Sequence, residues 1–395
     1  MQHAVDQVPD GGVVVIGPGV FDPFTITRSG LSVRGTPGRT VIRGDGDVIL
    51  VEGVTSGHLS ALEVSGASES FAAGIRVESS SGVRIERSVL RDNRSFGIKV
   101  ADSTGITIAD NDIGHNETGI EISRLGEGIV IEGNQIHDND RMVTASRGGN
   151  GIVFHLTTGA ITVTGNQVWG NRAPHLNDAG YDGGAFEVYG ASNLLISGNV
   201  VWDNNNVMET GTDGVAVCAG NTFTRNIVRA LGSVPGQTEG MILRCAERML
   251  VAHNTFDGLD GYAFYVSDAG AYAGSIEGLR IVNNIVIRGR AFSLAAGLPA
   301  GLVIDHTVVD PGGSDATYGD RVAYVEGYGN TSSLAVFTTW TGYERHGLQA
   351  DPRFIAPGAG DYHLAAGSPA IDRGAPLGDP YLGAAPDSGR FEAAP

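Results

Sequence analysis

Lysine is almost missing from this chain. Lys99 stands alone among 395 residues, and arginine supplies the rest of the 26 basic side chains against 44 acidic ones, for a formal net charge of −18. That balance excludes a phosphate-backbone partner, because nucleic-acid binding rests on clustered basic side chains. Cysteine is nearly absent too, with only Cys218 and Cys245. The repeat described below puts them on different strands of successive coils, which leaves their pairing open. No run of ~18 apolar residues occurs, so nothing spans a membrane as a helix, and helix-period patterning is scarce throughout. Met1 leads almost directly into Val13-Val14-Val15-Ile16 without a basic start or an apolar leader ending in small residues. The protein is therefore either cytoplasmic or one whose leader has been removed.

Glycine is abundant, at 60 residues, while the hydrophobic fraction of 41% is that of a folded chain. The glycines head a recurring phrase, read as a turn glycine followed by a short alternating strand: Gly74-Ile75-Arg76-Val77, Gly97-Ile98-Lys99-Val100 and Gly119-Ile120-Glu121-Ile122. Phe186-Glu187-Val188 and Met208-Glu209-Thr210 are degenerate copies. A second phrase, Gly-Asn-x-apolar, recurs at Gly133-Asn134, Gly165-Asn166 and Gly198-Asn199, with a variant at His253-Asn254. Asparagines stacked coil on coil hydrogen-bond to one another and tolerate turn conformations. Trp169 and Trp202 follow this turn at matching places.

Aligned, the first phrase gives one outward column: Leu50, Arg76, Lys99, Glu121, Val153, Glu187, Glu209, Leu243, Tyr265 and Ser293, in steps of 22 to 34 residues. Such a period makes the chain a stack of coils, each burying its apolar edge against the next. The steps are too long and variable for hexapeptide coils. They predict an all-β, single-stranded right-handed parallel β-helix of about ten coils, three short strands per coil. Residues 1–298 form it, with an N-terminal strand capping the first coil, and 299–395 form an irregular capping segment. The longest steps carry insertions at Asp140–Gly151, Arg172–Gly184 and Arg229–Gly240, which place three loops beside Val153, Glu187, Glu209 and Leu243.

The coils resemble the pectate-lyase-like superfamily of right-handed parallel β-helix proteins. The segments Asp351-Pro352-Arg353-Phe354, Asp361-Tyr362-His363-Leu364 and Gly367-Ser368-Pro369-Ala370-Ile371-Asp372 resemble a tail found on many bacterial exported β-helix proteins. The resemblance implies a secreted or extracellular carbohydrate-active protein. It does not choose the reaction, since lyases, hydrolases, epimerases and adhesins share the fold.

Parallel strands lie ~4.8 Å apart, so Glu187 and Glu209, one short coil apart in the column, are expected roughly 5 Å from each other. That is the spacing of the nucleophile and acid/base of a retaining glycosidase, and two like charges so close push one carboxyl toward its protonated form. Asp182 and Asp213 are the reserves for either role, although aspartates beside glycines ordinarily cap turns. His155, Asp178, Tyr181, Tyr189, Glu239 and Arg244 complete the expected cleft, with Glu121 and Lys99 lower in the column. The leading expectation is a glycoside hydrolase acting on a poly- or oligosaccharide without a cofactor, and the column's acidity favours a neutral or mildly charged glycan. The alternative, drawn from the resemblance, is a Ca²⁺-assisted polysaccharide lyase. There Asp178, Asp182, Glu187, Glu209 and Asp213 hold the metal and Arg244 or Lys99 takes the proton beside a uronate carboxylate. Lys99 also reads as the partner of Glu121 in a ladder salt bridge. A non-catalytic glycan-binding surface protein is the third reading.

Overall fold

The computed structural model describes residues 1–144, 147–175, 180–232, 239–295, 297–298, 301–312 and 321–393. Two compact units emerge, Met1–Leu194 and Leu195–Pro395. Each is built of coils of a right-handed parallel β-helix, in which every coil contributes one short strand to each of three parallel sheets.

In the first unit the third sheet runs Phe24–Ile26, Ile49–Glu52, Ala73–Glu78, Phe96–Ala101, Thr118–Ser123, Asn150–His155 and Gly184–Tyr189. Its register stacks Ile75, Ile98, Ile120 and Ile152 in one inward file, all without solvent exposure. Each such side chain gains ~1.5–3 kcal/mol by burial. The phrase glycine is not a turn residue here. Gly97 and Gly119 are buried inside their strands, and a Cβ on either would meet the backbone carbonyl oxygen of the next coil's glycine at 2.7 Å. Close approach of the backbones, rather than a left-handed conformation, makes glycine the required residue at these places.

The asparagines form continuous internal ladders. Asn111, Asn134 and Asn166 are linked amide to amide at 3.0 Å, and each amide also donates to a backbone carbonyl: Ile85 from Asn111, Ile108 from Asn134 and Ile131 from Asn166. Buried strand carbonyls thus find donors in the side chains of the neighbouring turns.

The N-terminal cap differs from the expected strand. Val13–Val15 pairs with Leu31–Arg34 and belongs to a complete first coil. The cap is the short helix Gln2–Gln7. The Gln2 amide donates to the Thr25 carbonyl at 3.0 Å and accepts from the Thr25 N–H at 2.7 Å, closing a strand edge that would otherwise stand open.

In the second unit the third sheet runs Asn206–Gly211, Glu239–Leu243, Tyr262–Val266, Arg290–Leu294 and Ala323–Val325, closed by the antiparallel strand Gly329–Thr331. Val303–Asp305, Val308–Asp310 and Ala323–Val325 continue the three sheets past the boundary expected at 298/299. The coil persists because Ile304, Val309 and Val325 still supply inward apolar residues. Helix Leu334–Thr341 then lays Phe337 on Phe292, ring centroids 4.9 Å apart, at the end of a file that includes Phe264. Cys218 and Cys245 are joined in a disulfide with Cα atoms 5.4 Å apart, which resolves the pairing that spacing alone left open.

Candidate functional site

The outward positions of the third sheet carry most of the chemistry in both units. In the first, register places Leu50, Arg76, Lys99, Glu121, Val153 and Glu187 in one column. In the second, the column is Glu209, Ile242, Tyr265, Ser293 and Tyr324. Leu243 is therefore not a member. It faces the core with no exposure, paired with Thr210 and Val266.

Lys99 and Glu121 do form a ladder ion pair, at 2.8 Å. A third residue closes it. Arg147, on the hairpin of Met142–Thr144 and Arg147–Gly148, donates to Glu117 at 2.7 Å and to Glu121, and its guanidinium lies 5.0 Å from the Phe96 ring centre. The strand Arg147–Gly148 is thus tied to Glu117 and Glu121 through Arg147. Burial pushes the Glu117 carboxyl up to about 7 in spite of Arg147. At Glu121 burial acts in the same direction, but Arg147 and Lys99 outweigh it and hold the carboxyl below its ordinary value. Lys99, with its ammonium on Glu121 and 4.5 Å from the Phe96 ring centre, is engaged in this network and not aimed at open solvent.

Further along the first unit, Glu187 is half-buried beside Val153, and His155 pairs with Tyr189, rings 5.6 Å apart. Tyr181 and Asp182 pair with Ala173–Pro174 in a hairpin. The Tyr181 ring covers the Arg172 guanidinium at 3.9 Å, and Asp182 accepts from the Gly183 N–H at 2.9 Å. Asp178 lies outside the described residues.

The second unit holds a pocket of about 390 Å³ on the outward face of this sheet. Its walls include Glu239, Ile242, Arg244, Tyr262, Tyr265 and Arg290. Arg244 makes a 2.9 Å ion pair with Glu209 and lies 5.9 Å from the Tyr265 ring centre. Arg290 stacks 4.4 Å from the Tyr262 ring centre and donates to the Asp260 carbonyl. Glu239 is exposed at the rim. The arrangement brings two oriented guanidiniums, two phenols and an exposed carboxylate into one concave place, and guanidiniums so placed can pair with a carboxylate-bearing ligand.

Asp213 is an exposed turn residue. It accepts from the Val215 and Ala216 amides at 3.0 and 3.3 Å, and these hold its carboxyl below the ordinary value. The calcium ligands expected from the sequence are engaged elsewhere: Asp213 and Asp182 with backbone amides, Glu209 with Arg244. Among the described residues, the one group of three potential ligands that converge is Asp305, His306 and His346.

Arg147, Glu117, Tyr262 and Arg290 escaped the sequence reading. Tyr262 and Arg290 are register partners, so a column drawn three residues earlier would have found them. Arg147 sits in an insertion, where no period applies.

Residues 29–201 match the family model of the right handed beta helix region. The crystal structure of a pectate lyase is similar over 99% of this chain and 90% of its own, at 16% identity and a TM-score of 0.52. An alginate lyase from a Paenibacillus strain is similar over 64% of this chain and 95% of its own, at 17% identity and a TM-score of 0.45. No curated protein matches the chain.

Proposed function

We propose that this β-helix is a secreted enzyme acting on an acidic polysaccharide, and that it cleaves by β-elimination with the second-unit pocket as its site. The observation that carries the reading is the placement of Arg244 and Arg290 against Tyr265 and Tyr262 in one cavity, with Glu239 at its rim. The outward column is acidic at Glu121, Glu187 and Glu209, yet the cavity itself presents guanidiniums. A uronate carboxylate is what such a planar fork recognises best. The Cys218–Cys245 disulfide supports an oxidising compartment.

Elimination needs the substrate carboxylate neutralised, so that the hydrogen on the adjacent carbon becomes acidic. Arg244 and Arg290 supply that charge. A guanidinium keeps its protons in proteins, and Arg244 is already ion-paired with Glu209, so Arg244 orients and neutralises rather than taking the proton. In this reading Glu239 accepts the proton from the carbon, the glycosidic bond breaks as the double bond forms, and the Tyr265 hydroxyl donates to the departing oxygen.

The glycoside hydrolase reading keeps Glu187 and Glu209 as its acids, and what speaks for it is that each is an outward, half-buried residue on its own strand. The two reactions leave different products. Incubation with polygalacturonate and alginate, followed by ultraviolet absorbance and reducing-end assays in parallel, tests the choice. Unsaturated, absorbing ends are expected, while reducing ends without that absorbance would favour the hydrolase.

A further inference from the structure

In the second unit, outside the residues that line the pocket and unused by the proposed reaction, Asp305, His306 and His346 form a cluster whose ligand atoms all lie within 4.8 Å of one another. Asp305 ends the strand Val303–Asp305, and His346 comes from the segment after helix Leu334–Thr341. The Asp305 carboxylate is fixed by the backbone. Its Oδ1 accepts from the amides of His306 at 2.9 Å and His346 at 2.8 Å, which turns Oδ2 toward His346 Nδ1 at 2.7 Å.

The histidines are oriented as well. His306 Nδ1 lies 2.7 Å from the Arg373 carbonyl oxygen. A carbonyl only accepts, so Nδ1 carries the proton and Nε2 keeps its lone pair. This is the outer hydrogen bond that metal-binding histidines ordinarily make. The two imidazoles lie nearly parallel, 14° apart with centroids separated by 4.7 Å.

We infer that this cluster is a binding site for a divalent transition-metal ion of the Zn²⁺ type, with Asp305, His306 and His346 as ligands. Two imidazoles and one carboxylate suit Zn²⁺ and its neighbours, whereas Ca²⁺ takes an all-oxygen shell. The ion replaces the proton between His346 Nδ1 and Asp305 Oδ2, and that proton leaves to water. Ligand atoms around bonds of ~2.1 Å sit roughly 3.3–4 Å apart, so a separation at the 4.8 Å limit closes by about 0.8–1.5 Å while the 2.7 Å His346–Asp305 contact opens slightly, movements available to the exposed His346. Binding ties the segment carrying His346 to the coil that carries Asp305.

The test is calorimetric titration of Zn²⁺ into the full chain, prepared without a histidine tag and stripped with chelator. Wild type is expected to bind one equivalent, undiminished by excess Ca²⁺, and its thermal midpoint is expected to rise with Zn²⁺. His346→Ala and His306→Ala are expected to lose at least about tenfold in affinity while melting normally without metal. Absence of saturable Zn²⁺ binding in the wild type overturns the assignment, as does undiminished affinity in both variants. If either variant unfolds, Co²⁺ absorption of the wild-type chain decides the matter: bands of a nitrogen- and oxygen-ligated ion support the site, and the spectrum of the free aqueous ion refutes it.

Discussion

Nη1 of Arg244 lies 2.9 Å from Oε1 of Glu209, linking the first strand of the second unit's outward column to the wall of its pocket. The pair fixes a guanidinium that would otherwise sample many rotamers, and fixed donors stabilise developing charge better than mobile ones. Arg244→Ala is expected to lower kcat/KM on an acidic polysaccharide by ~10²–10³-fold. Arg244→Lys keeps the charge but loses the fork, and should recover only part of that loss. Steady-state kinetics of the two variants check this. Equal activity in all three proteins would remove Arg244 from the site.

Arg147 neutralises two carboxylates that are almost wholly buried, Glu117 and Glu121. Arg147→Ala leaves both without that partner and is expected to cost ~3–5 kcal/mol, measurable by urea denaturation at pH 7. The same network should give stability a pH slope. Glu117 has its folded pKa raised from 4.5 to about 7, so the folded state binds the proton more tightly than the unfolded chain does. The stability linked to that proton is complete below pH 4.5 and is lost as pH rises through about 7, by an amount on the order of 3 kcal/mol. Glu117→Gln cannot titrate, and its denaturation midpoints should lack this fall between those limits.

The Cys218–Cys245 disulfide closes a loop with a sequence separation of 27. Its reduction, or the double Ser variant, is expected to destabilise the chain by about 3–4 kcal/mol through the freedom returned to the unfolded state. Melting with and without reductant checks it, the double variant serving as the control in which reductant does nothing.

Asn254 shows what the ladders are worth. Its side chain accepts from the Asn226 backbone and amide at 2.9 and 3.1 Å and donates to Phe223, Ala252 and Asn284. Asn254→Ala strands several buried groups at about 1–3 kcal/mol each. A loss of at least ~3 kcal/mol is therefore expected in urea denaturation, whereas alanine at the exposed strand residue Gln135 should change little.

Much of the fold was legible because the period repeats a physical constraint. Ile75, Ile98 and Ile120 recur where the core must be filled, and Gly97 and Gly119 recur where neighbouring backbones leave no room for a Cβ. The phase slipped at Leu243, where Met241-Ile242-Leu243 is apolar at every position and offers no alternation to fix the face. One residue of slip exchanges inside for outside. Val303–Asp305 escaped notice because a three-residue strand among glycines and prolines carries little signal.

The candidate site was legible only in outline. Glu209 and Tyr265 stand in the repeat and could be placed by counting. Arg147 reaches Glu117 from an insertion, and Arg290 meets Tyr262 by stacking. Both contacts depend on where long side chains point, which the period does not encode. Glu117 was passed over because nothing in its neighbours announces that its carboxylate is buried.

The most direct test of elimination in the second-unit pocket is the product formed from polygalacturonate or alginate by wild type and by Glu239→Gln. Absorbing, unsaturated ends that accumulate with wild type, and at least ~10²-fold more slowly with the Gln variant as expected for loss of a general base, are the predicted result. Reducing ends without ultraviolet absorbance, or a Glu239→Gln variant as fast as wild type, would contradict it.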